Sequence, residues 1–217
     1  MAPITNIEQL DLDKVYSYAD YLTWKFQDRL ELFKGKIFKI SPAPGRLHQN
    51  ISGKLFFNLY KYFEYKSCSV YSAPFDVRLL NKKLSTPDND IFTVVQPDLC
   101  IICDEEKLDE RGCNGAPDLV IEILSPGNSK KEMGIKFSLY EEAGVKEYWI
   151  VEPTEKAIFV YYLHNDKLIG QRPLTTDDVI QSPLFPELNF DVAAVFEYFV
   201  YGTPAIVPPF LSRVRAI

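Results

Sequence analysis

Residues 116–151, APDLVIEILSPGNSKKEMGIKFSLYEEAGVKEYWIV, constrain the fold of this chain more than any other stretch. An apolar run, Leu119-Val120-Ile121-Glu122-Ile123-Leu124, carries a single carboxylate, and Ser125-Pro126-Gly127-Asn128 breaks the chain after it. Met133, Phe137 and Tyr140 then recur at helical spacing, which predicts a helix over residues 129–143 with Gly144 as its C-terminal cap. A second apolar run, Glu147-Tyr148-Trp149-Ile150-Val151, completes a strand–helix–strand unit of the kind that builds a parallel or mixed sheet. A charged Glu122 inside such a strand is costly unless something nearby uses the charge. It is the first pointer to a site.

The remaining sequence supplies further elements for that unit to pack against. Ser17 is placed to cap a short helix over residues 18–26. Residues 29–41 read as a hairpin turning at Lys34-Gly35, with Glu31 in its first arm, and residues 42–45 as a loop. Ile51, Leu55, Leu59 and Phe63 form one stripe of a long helix over 47–65, and His48 stands in its first turn. Residues 70–80 give one bent strand or two short ones around Pro74, 81–90 a polar loop, and 94–103 a strand whose Pro97 suggests an edge position or a strand beginning just there. A charged turn over 104–112, a hairpin of 157–163 with 167–173, and an amphipathic helix over 191–200 follow the same patterns. The expected architecture is α/β or α+β, a mixed central sheet flanked by helices. It is expected as a lead-in (1–16), one domain (17–200) and a Pro-rich tail (201–217), a size that can enclose a substantial core.

Composition narrows the function classes. No apolar run reaches the roughly 20 residues of a membrane span, and the first residues lack the basic head and apolar stretch of an export signal. Four cysteines in 217 residues make no dense framework, so free thiols in a reducing cytoplasm are expected. A net charge of −6 argues against a protein that grips nucleic acid through a broad basic surface. It does not argue against an enzyme that binds nucleic acid briefly, because acids that hold a metal count against the total. Neither a Walker-type phosphate loop nor a GxSxG elbow is present. Cys100 and Cys103 lie in one apolar strand and point to opposite faces, which disfavours zinc.

The constellation that carries chemistry is Asp98, Glu122 and a lysine. If their strands pair, both carboxylates can face one side and share a hard divalent cation, which often uses only one or two carboxylates plus waters and substrate phosphate. Asp118 also follows a proline and falls on the face of Glu122, but reads more simply as a residue at the start of the strand.

Val95-Gln96-Pro97-Asp98, residues 116–126 and Gly144-Val145-Lys146-Glu147-Tyr148-Trp149-Ile150-Val151 together resemble the bacterial Uma-two family of restriction-endonuclease-like proteins with the PD-(D/E)XK core. The resemblance also takes in Glu31 with Gly35 and Ser41-Pro42 followed by His48, and spans residues 18–196. It implies a Mg²⁺- or Mn²⁺-dependent endonuclease acting on DNA. Asp98 and Glu122 would hold the ion with the Ile123 carbonyl, Lys136 would assist the water or the phosphate, and Glu31 and His48 would be secondary members. Leu124 stands where the general motif has lysine, and Glu132 where the family often has aspartate. Each candidate has a plainer alternative. Lys136 would be a surface lysine paired with Glu132, Glu31 an exposed hairpin residue, His48 a solvated or hydrogen-bonded helix-start histidine, and Tyr140 a core residue. The competing function is a catalytically inactive nuclease fold that binds nucleic acid or protein. A homodimer is expected for duplex cleavage, and a third possibility is a structural dimer exchanging the tail.

Overall fold

The computed structural model describes residues 4–26, 28–39, 45–80, 87–125 and 130–197. The chain break at 126–128, most of the loops at 42–45 and 81–90, and the Pro-rich tail lie outside the described residues.

The N-terminal half builds one mixed sheet. Helix α1 (Tyr18–Tyr21) precedes the hairpin β1 (Leu30–Phe33) and β2 (Lys36–Lys39), then helix α2 (Arg46–Phe63), β3 (Ser69–Ser72), β4 (Val77–Arg78) and β5 (Val94–Val95). After β6 (Leu99–Ile102) come β7 (Leu108–Asp109) and β8 (Gly112–Asn114). The first sheet runs β2-β1-β5-β4-β8-β7. The strand–helix–strand unit is β9 (Leu119–Ile123), α3 (Lys130–Ala143) and β10 (Glu147–Glu152). Its strands pair in parallel, Glu122 beside Ile150. A hairpin of β11 (Ala157–His164) and β12 (Lys167–Gly170) extends it, and β13 (Val179–Gln181), β14 (Asn189–Asp191) and α4 (Val192–Phe196) close the described chain. The second sheet runs β12-β11-β10-β9-β6-β3 and is antiparallel apart from the β9/β10 pair. The architecture is mixed α+β.

Alternation along the central strands sorts their side chains into two cores. Leu99, Ile101, Leu119, Ile121 and Ile123 face α2, whose Ile51, Leu55, Leu59 and Phe63 are all buried against them. Each such side chain contributes roughly 1.5–3 kcal/mol relative to exposure, enough to hold the helix in place. Cys100, Ile102 and Val120 face the other way and meet Leu139 and Tyr140 of α3 together with Phe33, Val77 and Val95 of the first sheet. The two sheets and α3 therefore converge on one side of β9. Glu122, two residues beyond Val120 and so on the same face, belongs to that side.

Several elements depart from the expected boundaries. Helix α1 stops at Tyr21, although Ser17 does cap it, in a reciprocal box with Asp20. The single strand expected over 94–103 is two strands in different sheets, β5 and β6, parted by Gln96-Pro97-Asp98. Pro97 has no N–H to continue a ladder, and the chain changes sheets there. Cys68 and Cys103 are not free thiols but a disulfide. Strands β3 and β6 pair with Ser69 opposite Ile102, so the next positions along the ladder bring these cysteines together. Cys100 and Cys113 are free and buried.

Glu147 is fully buried at the start of β10. Its carboxylate accepts from the Trp149 indole N–H at 2.6 Å, the Ser182 hydroxyl at 2.8 Å and the Leu184 N–H at 2.8 Å. Three donors satisfy the buried acid and fasten the segment after β13 to the sheet. No helix among the described residues is long and apolar enough to cross a membrane.

Candidate active site

The site lies where the two sheets meet. Strand β1 is buried on both faces: Leu30 and Leu32 pack into the N-terminal cluster, while Phe33 and Glu31 alternate toward α3. Glu31 is 2% exposed, which removes the reading of it as a solvated hairpin residue. Strands β6 and β9 pair with Leu99 opposite Ile121, and the next step along the ladder sets Asp98 beside Glu122. Helix α3 supplies Lys136 and Tyr140, one turn apart and both buried.

Lys136 Nζ lies 3.0 Å from Glu31 Oε1 and 3.0 Å from Glu122 Oε1. It is the shared cation of two buried acids, not a surface partner of Glu132. Tyr140 donates its hydroxyl to Glu122 Oε1 at 2.6 Å, so it serves the site as well as the core. Asp98 Oδ2 accepts from the Ile123 N–H at 2.8 Å and meets His48 Nε2 at 3.1 Å. The group of Ile123 that reaches Asp98 is thus its N–H. His48 is buried at the start of α2, and its Nδ1 has no partner among the described residues.

Two carboxylates, Glu31 and Glu122, share one ammonium, with Asp98 beside Glu122, and the electrostatics follow from that arrangement. Burial pushes the Glu122 carboxyl up; Lys136 pulls it down, Asp98 and Glu31 push it back up, and the net direction is upward. Burial alone would lower Lys136, but Glu122 and Glu31 outweigh it and keep the amine protonated. Burial together with the charge of Glu122 holds the Tyr140 hydroxyl well above its ordinary value, so it remains a donor. Burial is the largest single effect on His48 and lowers it, but the hydrogen bond and charge of Asp98 with the charge of Glu122 together raise it above its ordinary value.

Asp118 does not join this group. It sits four residues before Glu122, roughly 13 Å along a strand. Its carboxylate accepts from the Cys103 N–H at 2.8 Å and pairs with Lys146 at 2.6 Å. Leu124, at the position of the general motif's lysine, gives its N–H to Val151 in the β9/β10 ladder. The amine beside Glu122 comes from the helix.

Two side chains at the rim carried no expected role. The Gln96 N–H donates to Glu31 Oε1 at 2.8 Å, and its side-chain oxygen accepts from Arg29 Nε at 2.9 Å and Nη2 at 2.7 Å. The same amide donates through Nε2 to Asp76 at 2.8 Å. Arg29 precedes Glu31 by two residues and Gln96 precedes Asp98 by two, so strand alternation was the signal available for both.

The profile of the family described as "Uma2: Putative restriction endonuclease" matches residues 18–193. The chain belongs to the Uma2 family. An uncharacterized protein of Synechocystis sp., slr1290, is 25% identical to it over 153 residues, which is 69% of this chain and 75% of the relative. The crystal structure of a "putative nuclease belonging to DUF820" from Anabaena variabilis superposes with a TM-score of 0.65 at 20% identity. That match covers 83% of this chain and 97% of the other, so the two share a fold. Within this Uma2 chain, no group of three or more His, Cys, Asp or Glu among the described residues is arranged to hold a metal ion. Two carboxylates, Asp98 and Glu122, remain as a candidate pair. Each has one oxygen already engaged, Asp98 by His48 and Ile123 and Glu122 by Lys136 and Tyr140.

Proposed function

We propose that this Uma2 chain is a Mg²⁺- or Mn²⁺-dependent endonuclease that hydrolyses DNA phosphodiester bonds. One observation carries the reading: a buried lysine shared by two acids, with a third acid directly across the ladder from one of them, at the meeting of two sheets. A buried site with more acids than cations calls for a further positive charge. Its donors are hard carboxylate oxygens, and Mg²⁺ commonly uses only one or two of these besides water and phosphate. Asp98 and Glu122 would hold the ion, with the Ile123 carbonyl as a third oxygen. Once bound, such an ion supplies Lewis-acid stabilisation and acidifies a water.

The chain's own residues have separable tasks in this reading. Lys136 stays charged and is held by Glu31 and Glu122, so it is ready to turn a hydrogen bond toward a phosphate oxygen. Tyr140 fixes the Glu122 carboxylate, and His48 with the Ile123 N–H fixes that of Asp98. Plasmid DNA incubated with the protein and Mn²⁺ is nicked, and Glu122→Gln removes the nicking. Equal nicking by the variant would sink the assignment.

A second reading, an inactive nuclease fold used for binding, draws on the Glu122 oxygen already taken by Lys136 and Tyr140. Calorimetry separates the two, because in the enzyme Mn²⁺ binding heat depends on both Asp98 and Glu122.

A further inference from the structure

The Arg29–Gln96 pair lies beside the acids and is not used by the chemistry above. Arg29 is exposed, and it is absent from the ion pairs among the described residues. Its hydrogen-bond partner is a neutral amide: two of its N–H groups point at the Gln96 oxygen, three of the five guanidinium donors make no hydrogen bond among the described residues, and its charge reaches the Asp76 carboxylate behind that amide. The amide orientation is fixed by chemistry, since Arg29 can only donate and the Asp76 carboxylate can only accept. Gln96 is tied down a second time by its backbone, through the N–H that Glu31 accepts. One residue thus holds a site carboxylate with its main chain and an outward-facing cation with its side chain. A planar guanidinium held in this way suits an anionic oxygen pair such as a phosphate, and its position beside Glu31 sets that phosphate close to the acids.

We propose that Arg29 grips a nucleic-acid phosphate neighbouring the one at the acidic centre, and that Gln96 is the strut that aims it. This rests on the nucleic-acid reading of the site, but not on cleavage. An acidic chain lacking a broad basic surface needs such local contacts to seat a polyanion, and the contact is to the backbone, independent of base sequence.

The test is fluorescence anisotropy with a labelled DNA duplex in Ca²⁺ at several salt concentrations. Arg29→Ala is expected to bind about tenfold more weakly at low salt, equally for unrelated sequences. Its plot of log K against log salt should be shallower by about 0.9. Gln96→Met keeps the cation and the backbone N–H, so its salt slope stays that of the wild type while affinity falls a few-fold. An Arg29→Ala variant with wild-type affinity and slope, or a wild type that binds no duplex, overturns the proposal. Arg29-dependent binding without any cleavage sinks the nuclease reading alone; cleavage with Arg29-independent binding sinks only this one.

Discussion

Replacing Lys136 with methionine keeps the length of the side chain and removes its charge, leaving Glu31 and Glu122 with no cation. Lys136 is 8% exposed and its ammonium makes two contacts of 3.0 Å, so the loss is of a buried pair. Breaking such a pair costs about 3–5 kcal/mol, because the stranded charge cannot return to water. In a chain of this size 1 kcal/mol moves the unfolding midpoint by about 2–4 °C, which gives a fall of roughly 6–20 °C at pH 8. The penalty must also depend on pH. Glu122 is already pushed above the ordinary carboxylate range, and without Lys136 only the Tyr140 hydrogen bond is left to pull it down. A carboxylate raised in the folded state adds stability below its unfolded value and loses it as pH rises through the folded one. The gap between wild type and variant is therefore small near pH 5 and widest at pH 8, and adding Glu122→Gln recovers part of it. Circular-dichroism melts at both pH values measure this. A gap that is the same at pH 5 and pH 8 would refute the account of Lys136 as the counter-charge of buried acids.

Two further outcomes follow from neighbouring features. His48 is raised in the fold by Asp98, so its contribution is present below about pH 6.5 and fades as pH rises past the folded value. Melts of wild type and His48→Gln should then differ more at pH 6 than at pH 9, and a difference growing with pH contradicts the His48–Asp98 pair. Alkylation of the unfolded, unreduced chain should label Cys100 and Cys113 alone, with all four cysteines labelled only after reduction. Mass spectrometry counts the labels, and four without reductant rules out the Cys68–Cys103 bond.

What the sequence could show depended on how local the cause was. The β9–α3–β10 unit was legible because its periodicities and its Gly144 cap act within a few residues. Glu122 stood out as one charge in an apolar run. Lys136 was identified through the family resemblance, but its pairing with Glu31 joins positions 105 apart in sequence and depends on how β1 packs under α3. Pro97 marked that a strand begins close to it, but the single strand over 94–103 proved to be two, because apolar content is continuous across Pro97 while the ladders on either side belong to different sheets. The disulfide was missed for a similar reason. Whether Cys68 meets Cys103 is decided by the register of β3 on β6, which no local pattern encodes. Arg29 and Gln96 carry ordinary surface-residue identities, and only the crossing of two strands turns them into a pair.

The short passage Gln96-Pro97-Asp98 belongs to neither sheet. It delivers an N–H to Glu31 on one side of the junction and a carboxylate beside Glu122 on the other. The spacing of the acids is thereby geared to how the two sheets are seated on each other, with Pro97 stiffening the gear. A shift in that seating would move the carboxylates relative to one another, so the joint between the sheets and the chemistry are coupled through three residues.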